Sequence, residues 1–472
     1  MKMTIYRKKS WWGYWSYLML AFVTMFIFSC KDKDDSDEEA FDPQKEVVIT
    51  DFTPKEGGYG SNLILYGENF GNDKSKIKVK IGGKEANIIN VKNNCLYCVV
   101  PSKAYSGVIE ISVNDENGNE LAYAEANGTF EYTKKWLVTT LVGQKYQIPS
   151  DEIEKEGPFD DCGCFKNMVW FSFDPKSDFD IMYVAAHSNP PNRKIDFANE
   201  QVYFFKTPNL SRPAIINWTA DENADMVISD DIGSDNKTGN WLFSRSSGFT
   251  ESTALNVLKS VNGAMIHPVN GELYYAGYYT QDVARYDFAT KEITLPFRHN
   301  KTKETVRMVV HPTGKYAYIT QTYYSGNGRF ISRSDYNEEA KTFTTPYLVC
   351  GSNSSSGYVD GVGDKARLNK PGQGVFVKNP NYSGEDDEYD YYFCDTENHA
   401  IRVLTPQGRV YTFAGRGNMN SGSDAGSGYT DGELRTEARF TSPMAIAYDE
   451  KRNCFYIGDT GNKVIRKIAK EE

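Results

Sequence analysis

Histidine is scarce in this sequence: five residues in 472, at positions 187, 267, 299, 311 and 399. Zinc catalysis draws on three well-placed nitrogen or carboxylate ligands, and His187, His267, His299, His311 and His399 show no spacing that supplies them. Positive charge is also short, since 53 Lys and Arg against 63 Asp and Glu leave a formal charge of −10. A generic nucleic-acid binder needs a basic surface to neutralise phosphate, so that class is set aside. No apolar run of membrane-spanning length follows Phe28. No Gly-rich loop leads from a strand into a helix as a phosphate cradle requires, and no His and carboxylate spacing organises a Ser nucleophile. What is abundant is aromatic: 32 Tyr and 26 Phe, with hydrophobic residues at 40%, a composition of neither a disordered chain nor a polytopic membrane protein. At about 150 residues per domain the length implies two or three domains, with the caution that all-β propellers run longer.

Residues 1–29 differ from the rest. Lys2, Arg7, Lys8 and Lys9 form a basic head, and residues 18–28 are an apolar run of secretion-signal length. Ile27-Phe28-Ser29-Cys30 then resembles the bacterial lipoprotein box, which implies lipidation of Cys30 and a membrane anchor to which each buried methylene adds roughly 0.8 kcal/mol. Residues 30–43 read as a solvated acidic tether. The run Lys31-Asp32-Lys33-Asp34-Asp35-Ser36-Asp37-Glu38-Glu39 also resembles the export signal of Gram-negative lineages that display lipoproteins outward, which implies an outer-membrane, exterior-facing protein. Cleavage before Cys30 removes four cations and no acid, moving the formal charge from −10 to about −14.

Residues 44–133 alternate in short strands broken by Gly, Asn and Pro, the size of one β-sandwich. Strands are expected at Val47-Val48-Ile49, Leu63-Ile64-Leu65-Tyr66, Ile77-Lys78-Val79-Lys80-Ile81, Cys98-Val99-Val100 and Val108-Ile109-Glu110-Ile111-Ser112-Val113. Phe52-Thr53-Pro54-Lys55-Glu56-Gly57, Leu65-Tyr66-Gly67-Glu68-Asn69-Phe70-Gly71, Ile81-Gly82-Gly83, Val99-Val100-Pro101 and Phe130-Glu131-Tyr132 follow in order. Together they resemble the IPT/TIG immunoglobulin-like domain, which implies a spacer role.

Residues 134–472 repeat. Gly357-Tyr358-Val359-Asp360-Gly361, Ala366-Arg367-Leu368 and Pro371 recur as Gly428-Tyr429-Thr430-Asp431-Gly432, Ala438-Arg439-Phe440 and Pro443. Cys394-Asp395-Thr396-Glu397-Asn398 and Ile401-Arg402-Val403 recur as Gly458-Asp459-Thr460-Gly461-Asn462 and Val464-Ile465-Arg466, and the longer first copy places an insertion around residues 384–388 in a hairpin. The pattern resembles the NHL repeat, a four-stranded β-propeller blade. Weaker units begin near Met168, Ala264 and Met308, and the least regular lies around Met226-Val227-Ile228 and Trp241-Leu242-Phe243. Trp136 to Val142 matches the outer strand Val410-Tyr411-Thr412-Phe413-Ala414-Gly415 and is expected to close the ring. The fold expected is all-β, an Ig-like sandwich followed by a propeller of six blades, with five or seven open.

Most polar signals have a structural explanation. His267 and His311 open His-Pro turns that end on Gly271 and Gly314. Asp395 and Asp459 with Asn398 and Asn462 are expected to satisfy backbone groups, because one axial site does not need the same residues from each blade. Cys95 with Cys98 and Cys162 with Cys164 are lone pairs without a second pair to complete a zinc site, and Cys350, Cys394 and Cys454 read as small buried hydrophobes. No metal or cofactor is expected, and the acidic insertion lacks regular Ca²⁺-ligand spacing.

The residues that stand out are Tyr278, Tyr279, Tyr323 and Tyr324, placed where loops follow the second strand of a blade. Aromatic faces suit the C–H faces of a sugar, with Gln281, Asn327, Arg329 and His399 as polar partners. The alternative is that these tyrosines cap the propeller core. Surface lipoproteins with this domain pairing resemble accessory glycan-binding proteins of bacterial polysaccharide uptake, which implies non-catalytic capture of a polysaccharide or oligosaccharide beside a TonB-dependent transporter. The competing readings are a protein-interaction or adhesion propeller and a propeller lyase or hydrolase.

Overall fold

Strand Ile77–Ile81 turns Ile77, Val79 and Ile81 inward and Lys78 and Lys80 outward, the period of two of a half-buried strand. This alternation builds the first of two units, which divide after Lys135. The structure is a computed structural model and describes residues 40–145, 152–187, 192–280, 282–299, 303–323, 328–417 and 426–471. The signal segment, Cys30 and the tether up to Glu39 lie outside the described residues.

In the first unit one sheet runs in the order Val48–Thr53, Asn62–Glu68, Cys95–Val99, Asn87–Lys92. The other runs Glu56–Gly57, Glu120–Tyr132, Gly107–Asn114, Ile77–Ile81, Lys84–Glu85. Phe52, Leu63, Leu65, Phe70, Leu96, Ile109, Ile111 and Phe130 belong to one buried core. Asn69 takes φ 62°, a conformation Asn tolerates, and its amide donates to the carbonyls of Asp42 and Lys45 at 2.8 Å each. The sequence signals only the last three residues of the 13-residue strand Glu120–Tyr132, because Leu121 and Tyr123 are exposed and blur its alternation.

The second unit holds, among the described residues, six antiparallel sheets. Their inner strands are Met168–Phe173, Pro213–Trp218, Val261–Ile266, Glu304–Val310, Pro371–Lys378 and Pro443–Asp449, and the blades are numbered one to six in that order. Each inner strand touches the next, and the sixth touches the first. The ring is a six-bladed propeller. Trp136–Val142 pairs antiparallel with Val464–Lys470 of blade six, setting Val138 opposite Ile468. The earliest strand of the unit thus joins its latest, leaving no open seam between first and last blades.

The two sequence motifs of blades five and six are halves of one device. Arg402 is fully buried; its guanidinium donates to Asp395 and Asp360 at 2.8 Å each, and Tyr358 lies 4.8 Å from it. Arg466 repeats this with Asp459, Asp431 and Tyr429. Asp395 and Asp459 also accept the backbone N–H groups of Asn369 and Thr441 at 2.7 Å, while Asn398 and Asn462 donate to the carbonyls of Gly357 and Gly428. The Asp and Asn residues therefore do the structural work expected of them.

The insertion lies in the hairpin between Pro371–Lys378 and Tyr389–Asp395. It is docked at one point: Asp387 accepts the Tyr316 hydroxyl at 2.7 Å and stands 3.4 Å from His311 Nε2 of blade four. Cys350, Cys394 and Cys454 are buried free thiols, as their strand positions imply.

Candidate functional site

Topology gives the propeller two ends. Connections from second to third strands share one end with the starts of the inner strands, and connections from first to second strands share the other. Those of the residues proposed from sequence that the structure describes belong to the first end. Tyr278 and Tyr279 follow strand Leu273–Gly277, pack edge to face at 5.0 Å, and leave Tyr279 half exposed with the Lys259 ammonium 4.7 Å from its ring. Tyr323 is the last residue of Tyr316–Tyr323 and is buried, its ring against Phe330 at 5.4 Å. Arg329 donates to the carbonyls of Tyr323 and Gly328 at 2.8 Å, and burial pulls its pKa down. His399 sits at φ 54° and accepts the Ser442 N–H on Nδ1 at 3.0 Å; burial lowers its pKa. Gln281, Tyr324 and Asn327 lie outside the described residues.

The structure thus pairs Tyr278 with Tyr279 and Tyr323 with Arg329, and gives His399 a backbone partner of its own. Tyr323 presents its ring to the core rather than to solvent. At the same end His187 Nε2 lies 2.7 Å from Asp231, and Arg212 lies 3.3 Å from its Nδ1. Sequence reasoning gave this row no role, since its members come from two blades.

The other end carries an axial cavity of about 450 Å³ to which every blade contributes. Phe173, Phe179, Trp218 and Tyr448 supply its aromatic wall, Asn217 an amide, and Gln373 another amide deeper in. Each aromatic is fixed by further contacts. Trp218 donates from Nε1 to Ser172 at 2.8 Å, and the Arg245 guanidinium, clamped by both oxygens of Asp174, lies 5.3 Å from its ring. Phe173 and Phe179 meet edge to face at 5.2 Å, and the Tyr448 hydroxyl donates to Asn453 at 2.8 Å. Gln373 spans three blades, accepting the N–H groups of Phe171 and Ile446 and donating to the Phe171 carbonyl. Asn217 Nδ2 is buried without a hydrogen-bond partner. None of the residues lining this cavity is Asp, Glu, Lys, Arg or His.

A second cavity of about 560 Å³ opens at the same end between blades two and three. It is lined by Asp221, Asp225, Glu272, Asp287 and Phe288, and it shares Ala220 with the axial cavity. Among the described residues, no group of three or more His, Cys, Asp or Glu is placed to hold a metal ion.

Residues 47–132 match the model of the IPT/TIG domain. No curated protein matches the chain. A solved protein of Bacteroides thetaiotaomicron VPI-5482, described as an auxiliary nutrient binding protein, is 49% identical over 92% of this chain and 100% of its own, with a TM-score of 0.83. The chain belongs to its family. A second family member, an auxiliary nutrient binding protein of Bacteroides ovatus ATCC 8483, is 45% identical over 92% of this chain and 100% of its own, with a TM-score of 0.71. A third, from Bacteroides thetaiotaomicron VPI-5482, bears a provisional phosphatase name; it is 37% identical over 92% of this chain and 99% of its own, with a TM-score of 0.80. The family likeness runs through both units, so the pairing of sandwich and propeller is a property of the family.

Proposed function

We propose that the protein is an outer-membrane lipoprotein, anchored through Cys30 and facing outward, that captures a nutrient glycan without altering it chemically. The observation that carries this reading is the end-to-end likeness, at 49% and 45% identity, to two proteins described as auxiliary nutrient binding proteins. The lipoprotein box and the acidic run after it supply the anchor and the outward address. The IPT/TIG domain acts as a spacer, the propeller presents the ligand-binding surface, and a TonB-dependent transporter receives what is captured.

The test is affinity electrophoresis and calorimetry of the purified protein against plant, microbial and host polysaccharides, with products analysed in parallel. Binding without cleavage supports capture, and cleavage makes the protein an enzyme. Silence across the panel, with recovery of an outer-membrane protein by pull-down, makes it an interaction module. Phosphate-ester hydrolysis is a second reading, favoured by the name of the 37%-identical relative and by the row Arg212, His187, Asp231. Turnover of p-nitrophenyl phosphate that is lost in His187→Gln would establish it.

A further inference from the structure

We infer that the ligand site is the axial cavity at the end of the first-to-second-strand connections, and that it takes a neutral saccharide. This rests on the glycan reading above and gives it a place and a ligand class.

The cavity has the size and chemistry of a ligand pocket. About 450 Å³ falls within the roughly 300–1,000 Å³ of small-molecule sites, which pair an apolar lining with a few placed polar groups. Trp218, Phe179 and Tyr448 provide ring surface for the C–H faces of a sugar. These rings are held by hydrogen bonds and ring contacts to protein neighbours, so little ordering remains to oppose binding. Asn217 completes the set. A buried amide donor without a partner is rare in a folded protein, and a turn of the Asn217 amide toward the cavity it lines would offer Nδ2 to a hydroxyl edge resting on the aromatic wall.

Charge selects among glycans. No lining residue of the axial cavity carries a charge that could pair with a carboxylate or a sulfate. A chain leaving the cavity over Ala220 enters the second cavity, where Asp221, Asp225 and Asp287 line its path and Glu272 is paired with Arg285. Carboxylates there accept from the hydroxyls of a neutral chain and repel a uronic-acid or sulfated one.

The experiment titrates the full protein by calorimetry with neutral hexasaccharides of the cellulose, xylan, mannan and laminarin series, and with polygalacturonate and chondroitin sulfate. Ala220→Arg fills the shared rim from an exposed position and spares the core. Asn217→Ala removes the amide, and Tyr279→Ala reports on the opposite end. The expected result is binding of at least one neutral hexasaccharide, weakened tenfold or more by Ala220→Arg and by Asn217→Ala, unchanged in Tyr279→Ala, and at least tenfold weaker binding of both polyanions. Wild-type affinity in both cavity variants, or a tenfold loss in Tyr279→Ala, overturns the placement while leaving glycan capture intact. Equal affinity for a polyanion overturns the ligand class. No binding of any saccharide by the wild-type protein overturns the glycan reading itself, and this inference with it.

Discussion

Arg402 and Asp395 form an ion pair at 2.8 Å in which neither side chain reaches solvent, and Arg466 and Asp459 repeat it at 3.0 Å one blade further on. Each arginine also holds an aspartate from the segment before its own blade's inner strand, Asp360 or Asp431, so the pair ties third strand, connection and turn together.

The consequence is a rank order of variants. Asp395→Ala leaves Arg402 buried with its inner partner gone, a change that costs about 3–5 kcal/mol. Asp360 is half exposed, and its loss to Ala is expected to cost about 1 kcal/mol or less. Chemical denaturation of the two variants checks the order, and equal losses would mean that the outer aspartate shares the burial energy.

How much of this was legible depends on whether a feature is written locally. Blades five and six could be read because Gly-Tyr-x-Asp-Gly and Asp-x-x-Asn fix backbone groups within one repeat. The ring closure could be read because Trp136 to Val142 copies a strand that lies elsewhere in the chain. Arg402 and Arg466 were visible as repeated letters, but their role was not, since the outer aspartates they hold, Asp360 and Asp431, lie 42 and 35 residues back. The axial cavity left no signature at all. Asn217, Trp218, Gln373 and Tyr448 are ordinary strand residues until six blades set them around one axis, so attention fell on Tyr278 and Tyr279, whose doubled aromatics are conspicuous in sequence.

Gly314 and His267 give a second test. Gly314 has φ 77°, and a Cβ there would lie 2.5 Å from His267 Cε1, a contact that the buried His267 ring or the turn must shift to relieve. Gly408 has φ 79° and nothing within 4 Å of the same built atom. Gly408→Ala is expected to cost about 1 kcal/mol, the penalty of a left-handed residue alone, and Gly314→Ala clearly more. The difference between the two melting temperatures measures the clash.

His267 makes stability depend on pH. Its Nδ1 accepts the N–H groups of Val269 and Asn270 at 3.2 Å, and its Nε2 faces the Gly314 carbonyl, an arrangement for the neutral ring. Burial lowers its pKa from the usual 6.5. The folded state therefore binds fewer protons than the unfolded state below about pH 6.5, and stability present above that value is lost as pH falls toward the folded pKa. His267→Asn keeps an acceptor in the turn without titrating. Denaturation between pH 7.5 and pH 5 is expected to show a shallower loss in this variant, and an unchanged slope would remove His267 as a contributor.

Val138 tests the closure of the ring. It is fully buried against Ile468, in the strand that joins the start of the propeller to blade six. Val138→Asp places a carboxylate in an apolar seam without a partner, and the energetic cost of burying it exceeds what one propeller strand can absorb. Val257 lies at an outer strand of blade two and is largely exposed, so Val257→Asp meets water instead. Limited proteolysis of the two variants is expected to free the segment around residues 136–142 in the first and leave the second as resistant as wild type. If both resist equally, the closing strand stays paired despite the buried carboxylate, and Val138 is not what secures the seam.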